Sequence, residues 1–177
     1  MAQGEDVPME GLVQIVEDVG QPILQIMPEL DNILLGQIAR LGEVEFQDDV
    51  MELVEPGSPW ELAALSVPSD MAGDQELVGF AIFGLDGTSM CLRHIAVEEA
   101  HRKKGHARRL MEHIVLRCQE LRIRTFEVFA PRELVQFYRR VGFREVPLDE
   151  DDAEDDLMVP MSRLVDGRAP SGPPKAE

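Results

Sequence analysis

Between Ser89 and Leu121 the hydrophobic period of the chain changes once, across a short basic turn. Ser89 to Val97 (SMCLRHIAV) reads as a strand. After Gly105, Ala107, Leu110, Met111, Ile114, Val115, Cys118 and Leu121 recur at three-and-four spacing, with Arg, Glu and His between them. That pattern specifies an amphipathic helix. A strand that feeds a helix through so short a turn points to an α/β architecture.

The turn, Arg102-Lys103-Lys104-Gly105-His106-Ala107-Arg108, has the chemistry of an anion site. Its glycine allows close backbone approach, and the first N–H groups of the following helix lack intrahelical acceptors. The positive end of the helix dipole and the flanking cations add to this, so a phosphate or diphosphate is the expected ligand. The spacing is neither a Walker-type GxxxxGKS/T loop nor a GxGxxG dinucleotide fingerprint.

Charge sharpens the reading. The 177 residues carry 34 acids and 17 Lys or Arg, a formal net charge of −17. Nucleic-acid affinity rests on neutralising phosphates with cations, so a generic nucleic-acid binder is excluded. The charge is unevenly placed. Residues 1–92 hold 18 acids and a single base, Arg40, whereas residues 93–144 hold 13 bases and six acids. Residues 145–177 return to ten acids against three bases. A basic block inside an acidic body suits a local anion site in a field that draws cations elsewhere; its bland counterpart is two helices with solvated Arg-rich faces.

The remaining composition narrows the class. Hydrophobic residues make up 44% of the chain, too many for an acidic disordered polymer. No apolar run approaches the roughly 18 residues of a membrane span. MAQGEDVP lacks the features of a signal peptide, so a cytoplasmic protein without a membrane partner is expected. Cys91 and Cys118 form neither a disulfide framework nor a metal-ligand spacing, and no metal is expected.

Along the chain, residues 11–16 suggest a first strand, and 22–41 a helix that Pro28 kinks or delays. Residues 48–55 suggest a second short helix. Strands are expected at Trp60–Val67, Leu77–Leu85 and Ser89–Val97, with Asp86-Gly87 as a hairpin turn. Further strands follow at Thr125–Ala130, Phe143–Leu148 and Leu157–Leu164, with a helix over Arg132–Val141 ended by Gly142. Residues 149–156, DEDDAEDD, form an acidic loop, and the Pro/Gly-rich 166–177 is expected to be a disordered tail behind one domain of residues 1–165.

Arg102-x-x-Gly105-x-Ala107 at a strand-to-helix junction, with Phe137-Tyr138-Arg139-Arg140-Val141-Gly142-Phe143 some 30 residues later, resembles the GNAT superfamily of N-acetyltransferases. The likeness is best over residues 77–148 and extends to LVGFAIFGL and EVFAPRELVQFYRRVGF, which are similar to arylalkylamine-type members. Those members carry two histidines on the cofactor strand, where Cys91 and Arg93 stand here. Pro131 stands where ribosomal-protein and N-terminal acetyltransferases often have an asparagine.

The resemblance implies a mixed, mostly antiparallel twisted sheet with a central splayed strand pair and flanking helices. It implies acetyl-CoA as co-substrate. The backbone of Lys103, Lys104, Gly105, His106, Ala107 and Arg108, opened by Arg102, would cradle its diphosphate, and Ile95, Ala96 and Val97 would bind its pantetheine arm. Tyr138 would contact the cofactor and protonate the leaving thiolate; its bland reading is a helix tyrosine that only touches CoA. Glu127 is the position of a base in some relatives, and His94 titrates in a useful range beside the cofactor strand. Against these stand an outward-facing Glu127 paired with an Arg, and a strand parity that leaves the facing of His94 open. His101, His106 and His113 read as turn or helix-surface residues, and Cys91 as packing.

The acceptor expected is a cationic primary amine, with a small amine or polyamine favoured over a protein amine. The alternatives are a protein N-terminal or lysine acetyltransferase and a non-catalytic acyl-CoA-binding module.

Overall fold

The computed structural model describes residues 21–27, 29–71, 73–147 and 157–165. The segments 11–16, 149–156 and 166–177 lie outside the described residues. Among the described residues seven strands form one sheet in the order β1-β2-β3-β4-β5-β7-β6. They are β1 (Ile23–Ile26), β2 (Trp60–Pro68), β3 (Gln75–Asp86), β4 (Ser89–Val97), β5 (Thr125–Pro131), β6 (Arg144–Glu145) and β7 (Met158–Leu164). Among the described residues three α-helices flank it: α1 (Asn32–Phe46), α2 (His106–Glu120) and α3 (Val135–Arg140). Every strand pair is antiparallel except β4 and β5, which α2 connects as a crossover. This is the mixed, mostly antiparallel α/β fold expected from the sequence.

Strand β3 is the keel. Its eight residues Leu77 to Gly84 are all buried, because both faces of the sheet are covered there. On one face Leu110, Met111, Ile114 and Cys118 of α2 pack against Val78, Phe83 and Met90. On the other, Leu34, Ile38 and Leu41 of α1 pack against Leu62, Phe80 and Ile82. No helix among the described residues is long and apolar enough to cross a membrane.

The expected helix over 22–41 resolves into two elements. Ile23–Ile26 pairs with Ala63–Ser66 of β2 as strand β1. The helix starts at Asn32 because the Asp31 carboxylate accepts the Leu34 N–H at 2.8 Å, an N-cap worth about 1 kcal/mol. It runs on to Phe46 and closes with Gln47 in the left-handed region at φ 55°. Gly42 allows the next segment to press in, since a Cβ there would lie 2.4 Å from Val50 Cγ2.

That next segment, expected as a helix, is a 3₁₀ turn over Val50–Val54. The helix expected over 132–141 likewise opens as a 3₁₀ turn, Arg132–Leu134, before α3. Of the strand expected at 143–148, Arg144 and Glu145 pair with β7, and the Val146 N–H adds a bond to the Pro160 carbonyl at 2.9 Å.

Candidate active site

The site begins with a pairing that stops early. β4 and β5 are in register only over Met90–Phe126, Cys91–Glu127 and Leu92–Val128. Beyond Leu92 the two strands part. At the same place the β3–β4 register shifts, with Ile82 opposite His94 and Phe83 opposite Leu92, so Arg93 is the extra residue of a β-bulge. A bulge increases local twist and turns the strand away from its neighbour.

The bulge also inverts the strand's parity. Before it, Met90 and Leu92 face the core beneath α2; after it, Ile95 packs there and Ala96 joins the core beneath α1. The backbone polarity can be read in the same way. Glu98 N–H bonds to the Val78 carbonyl at 2.9 Å, which makes Val97–Gly79 a non-hydrogen-bonded pair. Ala96 is then bonded to β3, while the N–H and C=O groups of Ile95 and Val97 point into the gap that β5 has left.

The chain leaving Val97 forms the anion-site turn. Lys103 adopts φ 62° and Gly105 φ 84°, and Gly105 caps α2 without any side-chain hydrogen bond. The first helical bond runs from Arg109 N–H to the Gly105 carbonyl, so the N–H groups of His106, Ala107 and Arg108 have no intrahelical acceptor. A Cβ on Gly105 would meet nothing within 4 Å. Glycine is therefore needed there for its backbone conformation, and the space beside it is open.

A cleft of about 730 Å³ joins these features. Ile95, Ala96, Val97, Arg102, Lys103, Gly105, His106, Ala107 and Arg108 line it, together with Tyr138. Lys104 lines an adjoining cavity of about 540 Å³ with Arg109, behind the same turn. Tyr138 is 3% exposed, with its ring against Phe137 and Phe143 at 5.1 and 5.6 Å. Burial pushes its phenol up to about 12, so it stays protonated at neutral pH.

The cations of the turn are unequally free. Arg102 donates to the Val97 carbonyl at 2.9 Å and to Glu45 at 2.5 Å, and Arg108 pairs with Glu112. Lys104 bonds the Ala100 carbonyl at 3.1 Å. Burial, reinforced by His101, Lys104 and Arg109, lowers His106, which therefore remains neutral.

Glu127 and His94 do not line the cleft. Both lie on the sheet face that α1 covers in part. Glu127 stands opposite Cys91 and Ser162, and accepts the Ser89 hydroxyl at 2.8 Å. His94 stacks on Phe46 with centroids 4.3 Å apart, and its Nε2 is buried without a hydrogen bond, 3.9 Å from Asp48. Burial, then Arg93, lowers its pKa against the opposing pull of Asp48. Cys91 is raised by burial and by Glu127 and Asp86, so its thiol is not poised as a nucleophile.

Sequence reasoning missed Glu45, His101 and Arg140 as lining residues, and with them Leu134, Phe137 and Val141. The last three flank Tyr138 at helical spacing, a legible signal. Glu45 sits in the last turn of α1, beyond the end expected at residue 41. Among the described residues no group of three or more His, Cys, Asp or Glu could hold a metal ion.

Residues 70–165 match the family described as acetyltransferase (GNAT) domain. No curated protein matches the chain. Among solved structures, an aminoglycoside 6'-N-acetyltransferase complexed with coenzyme A is similar at 16% identity and a TM-score of 0.66, over 83% of this chain and 99% of that one. The ribosomal-protein-S18-alanine N-acetyltransferase from Escherichia coli gives 14% and 0.62, over 85% and 98%. Tetrahymena GCN5 gives 14% and 0.62, over 84% and 98%. At such identities the likeness to these structures carries the fold.

Proposed function

The chain belongs to the GNAT family of acetyl-CoA-dependent acetyltransferases, and from that premise we propose that it transfers an acetyl group to a cationic primary amine. One observation carries the reading: the gap between β4 and β5 aims the Ile95 and Val97 amides into the cleft that the Gly105 turn and Tyr138 also line. An unfinished ladder of this kind suits an extended ligand with amides of its own. Bound there, acetyl-CoA supplies an activated acyl group and leaves as a thiol.

The residues divide the work. The free N–H groups of His106, Ala107 and Arg108 suit the diphosphate, with Lys103 adding charge. An N–H aimed into the gap stabilises negative charge developing on the thioester oxygen. The Tyr138 phenol donates a hydrogen bond to the leaving sulfur. At about 12 it is a weaker acid than a thiol of about 8.5, so it stabilises the thiolate and leaves full protonation to solvent.

A primary amine with a pKa of about 10 arrives protonated and must lose that proton. The candidates to take it are Glu127 and His94, on the sheet face that α1 covers in part. The neutral imidazole of His94 has a lone pair to offer, and Glu127 keeps an oxygen beyond its bond to Ser89. The acidic body favours a cationic acceptor, and a small amine or polyamine fits that field without a peptide-binding surface.

The test is thiol release from acetyl-CoA over a panel of small amines, polyamines and peptides with free N-termini or lysines. Turnover with amines is expected, highest with multiply charged ones. Binding of acetyl-CoA without turnover makes the chain an acyl-CoA-binding module, and absence of binding overturns both readings.

A further inference from the structure

The motif arginine lines the cleft but is committed to partners within the protein. Arg102 donates Nε–H to the Val97 carbonyl at 2.9 Å, one of the two carbonyls aimed into the β4–β5 gap. Its Nη2 meets the Glu45 carboxylate at 2.5 Å, and Glu45 is the only acid among the described residues lining the cleft. A second pair, Arg40 to Glu98 at 3.1 Å, joins the same two elements with the charges reversed. Helix α1 thus offers Arg40 and Glu45 to Glu98 and Arg102. Sliding the helix would set like charges together, so the crossed pairs fix its register on the turn.

The neighbouring residues show what this register holds. Phe46 stacks on His94, and Asp48 lies 3.9 Å from the same imidazole. Phe46 at the end of α1 and Asp48 just beyond it thus meet His94, and Glu45 is linked to Val97 through Arg102. The Arg102 and Glu45 side chains are 44% and 33% exposed, so the pair contributes at most about 1 kcal/mol to stability. Its larger consequence is electrostatic. A carboxylate lining the cleft takes up the charge of Arg102, one of three arginines there with Arg108 and Arg140.

We propose that Glu45 is a positioning residue that holds Arg102 on the Val97 carbonyl and thereby weakens the grip on coenzyme A. The inference rests on the acetyl-CoA reading of the cleft. Product release gains from it: the diphosphate is held by backbone amides and Lys103, and Arg102 does not add a charged clamp.

The test is the affinity of free coenzyme A for the full chain, wild type against Glu45→Gln, by calorimetry at two salt concentrations. Glu45→Gln is expected to bind about threefold to tenfold more tightly and with a steeper salt dependence, because a cation is released to the ligand. A merely structural Glu45 gives the opposite sign. Weaker or unchanged binding overturns the proposal.

Arg40→Gln breaks the other pair without touching the cleft and is expected to leave the affinity within about twofold. Equal tightening there would mean that a loosened helix is the cause, and would also overturn it. The wild type supplies a measurement independent of any variant's folding. The Arg102 Nε–H resonance is expected to stay in place as coenzyme A is titrated, and a large shift on binding contradicts the proposal. A wild type that binds no coenzyme A defeats the acetyltransferase reading itself, a result distinct from any of these.

Discussion

The two halves of β4 share a strand and a similar composition, yet they do different work. Met90 to Leu92 are paired on both sides, and Met90 and Leu92 are buried in the core with Phe126 and Val128. Ile95 to Val97 are paired only with β3, and they wall the cleft. One extra residue, Arg93, separates them. A fold is completed where the ladder closes, and a binding site is left where it is held open. The unsatisfied amides of the open half are tolerable because they face a cleft that solvent or a ligand can fill.

Substitutions should respect that boundary. The largest effect is expected in the closed half, where Met90→Ala or Phe126→Ala removes a fully buried side chain and costs about 2–5 kcal/mol in denaturant unfolding. Small losses there would mean that the closed half is not the structural one. Around the open half, effects should fall on turnover. Tyr138→Phe keeps the ring packing and is expected to lower kcat about a hundredfold with affinity for acetyl-CoA nearly unchanged. An unchanged kcat removes the phenol from the chemistry.

Gly105→Ala comes next. It forces a side chain into φ 84° at about 1–2 kcal/mol and sends a methyl into the open space beside the turn. We expect KM for acetyl-CoA to rise about tenfold, read from initial rates, with a modest fall in Tm.

The smallest effect concerns His94, at the boundary itself. Its pKa is lowered in the fold, so the unfolded chain takes up the proton first as pH falls below about 6.5. Stability therefore declines on acidification through that range, and His106 and His113 act in the same direction. His94→Gln should flatten the slope of stability against pH. An unaltered slope would show that the imidazole is not held neutral by burial.

The boundary also marks what the sequence could disclose. The Gly105 turn was legible because a change of period and a glycine before a helix are local signals. Tyr138 was legible for the same reason, inside a short helix with its own spacing. Arg93 was not, since a bulge is defined by the partner strand's register, here Ile82 and Phe83, and nothing in SMCLRHIAV announces it. With the bulge hidden, the facing of His94 could not be derived by counting along the strand.

Glu45 was missed for a different reason. The apolar stripe of α1 was visible, but the Asp31 cap and the pairing of Ile23–Ile26 with β2 moved the helix toward Phe46. Only packing of that end against β4 brings its carboxylate to Arg102. Arg102 itself was expected to add charge at the anion site, and a long-range partner takes that charge up.

The central claim is that the open half of β4 is a ladder awaiting its ligand, and amide hydrogen exchange tests it residue by residue. On saturation with acetyl-CoA the Ile95 and Val97 amides should slow markedly, while Ala96, already bonded to β3, should hardly change. Binding of acetyl-CoA that leaves Ile95 and Val97 exchanging as before would contradict the account.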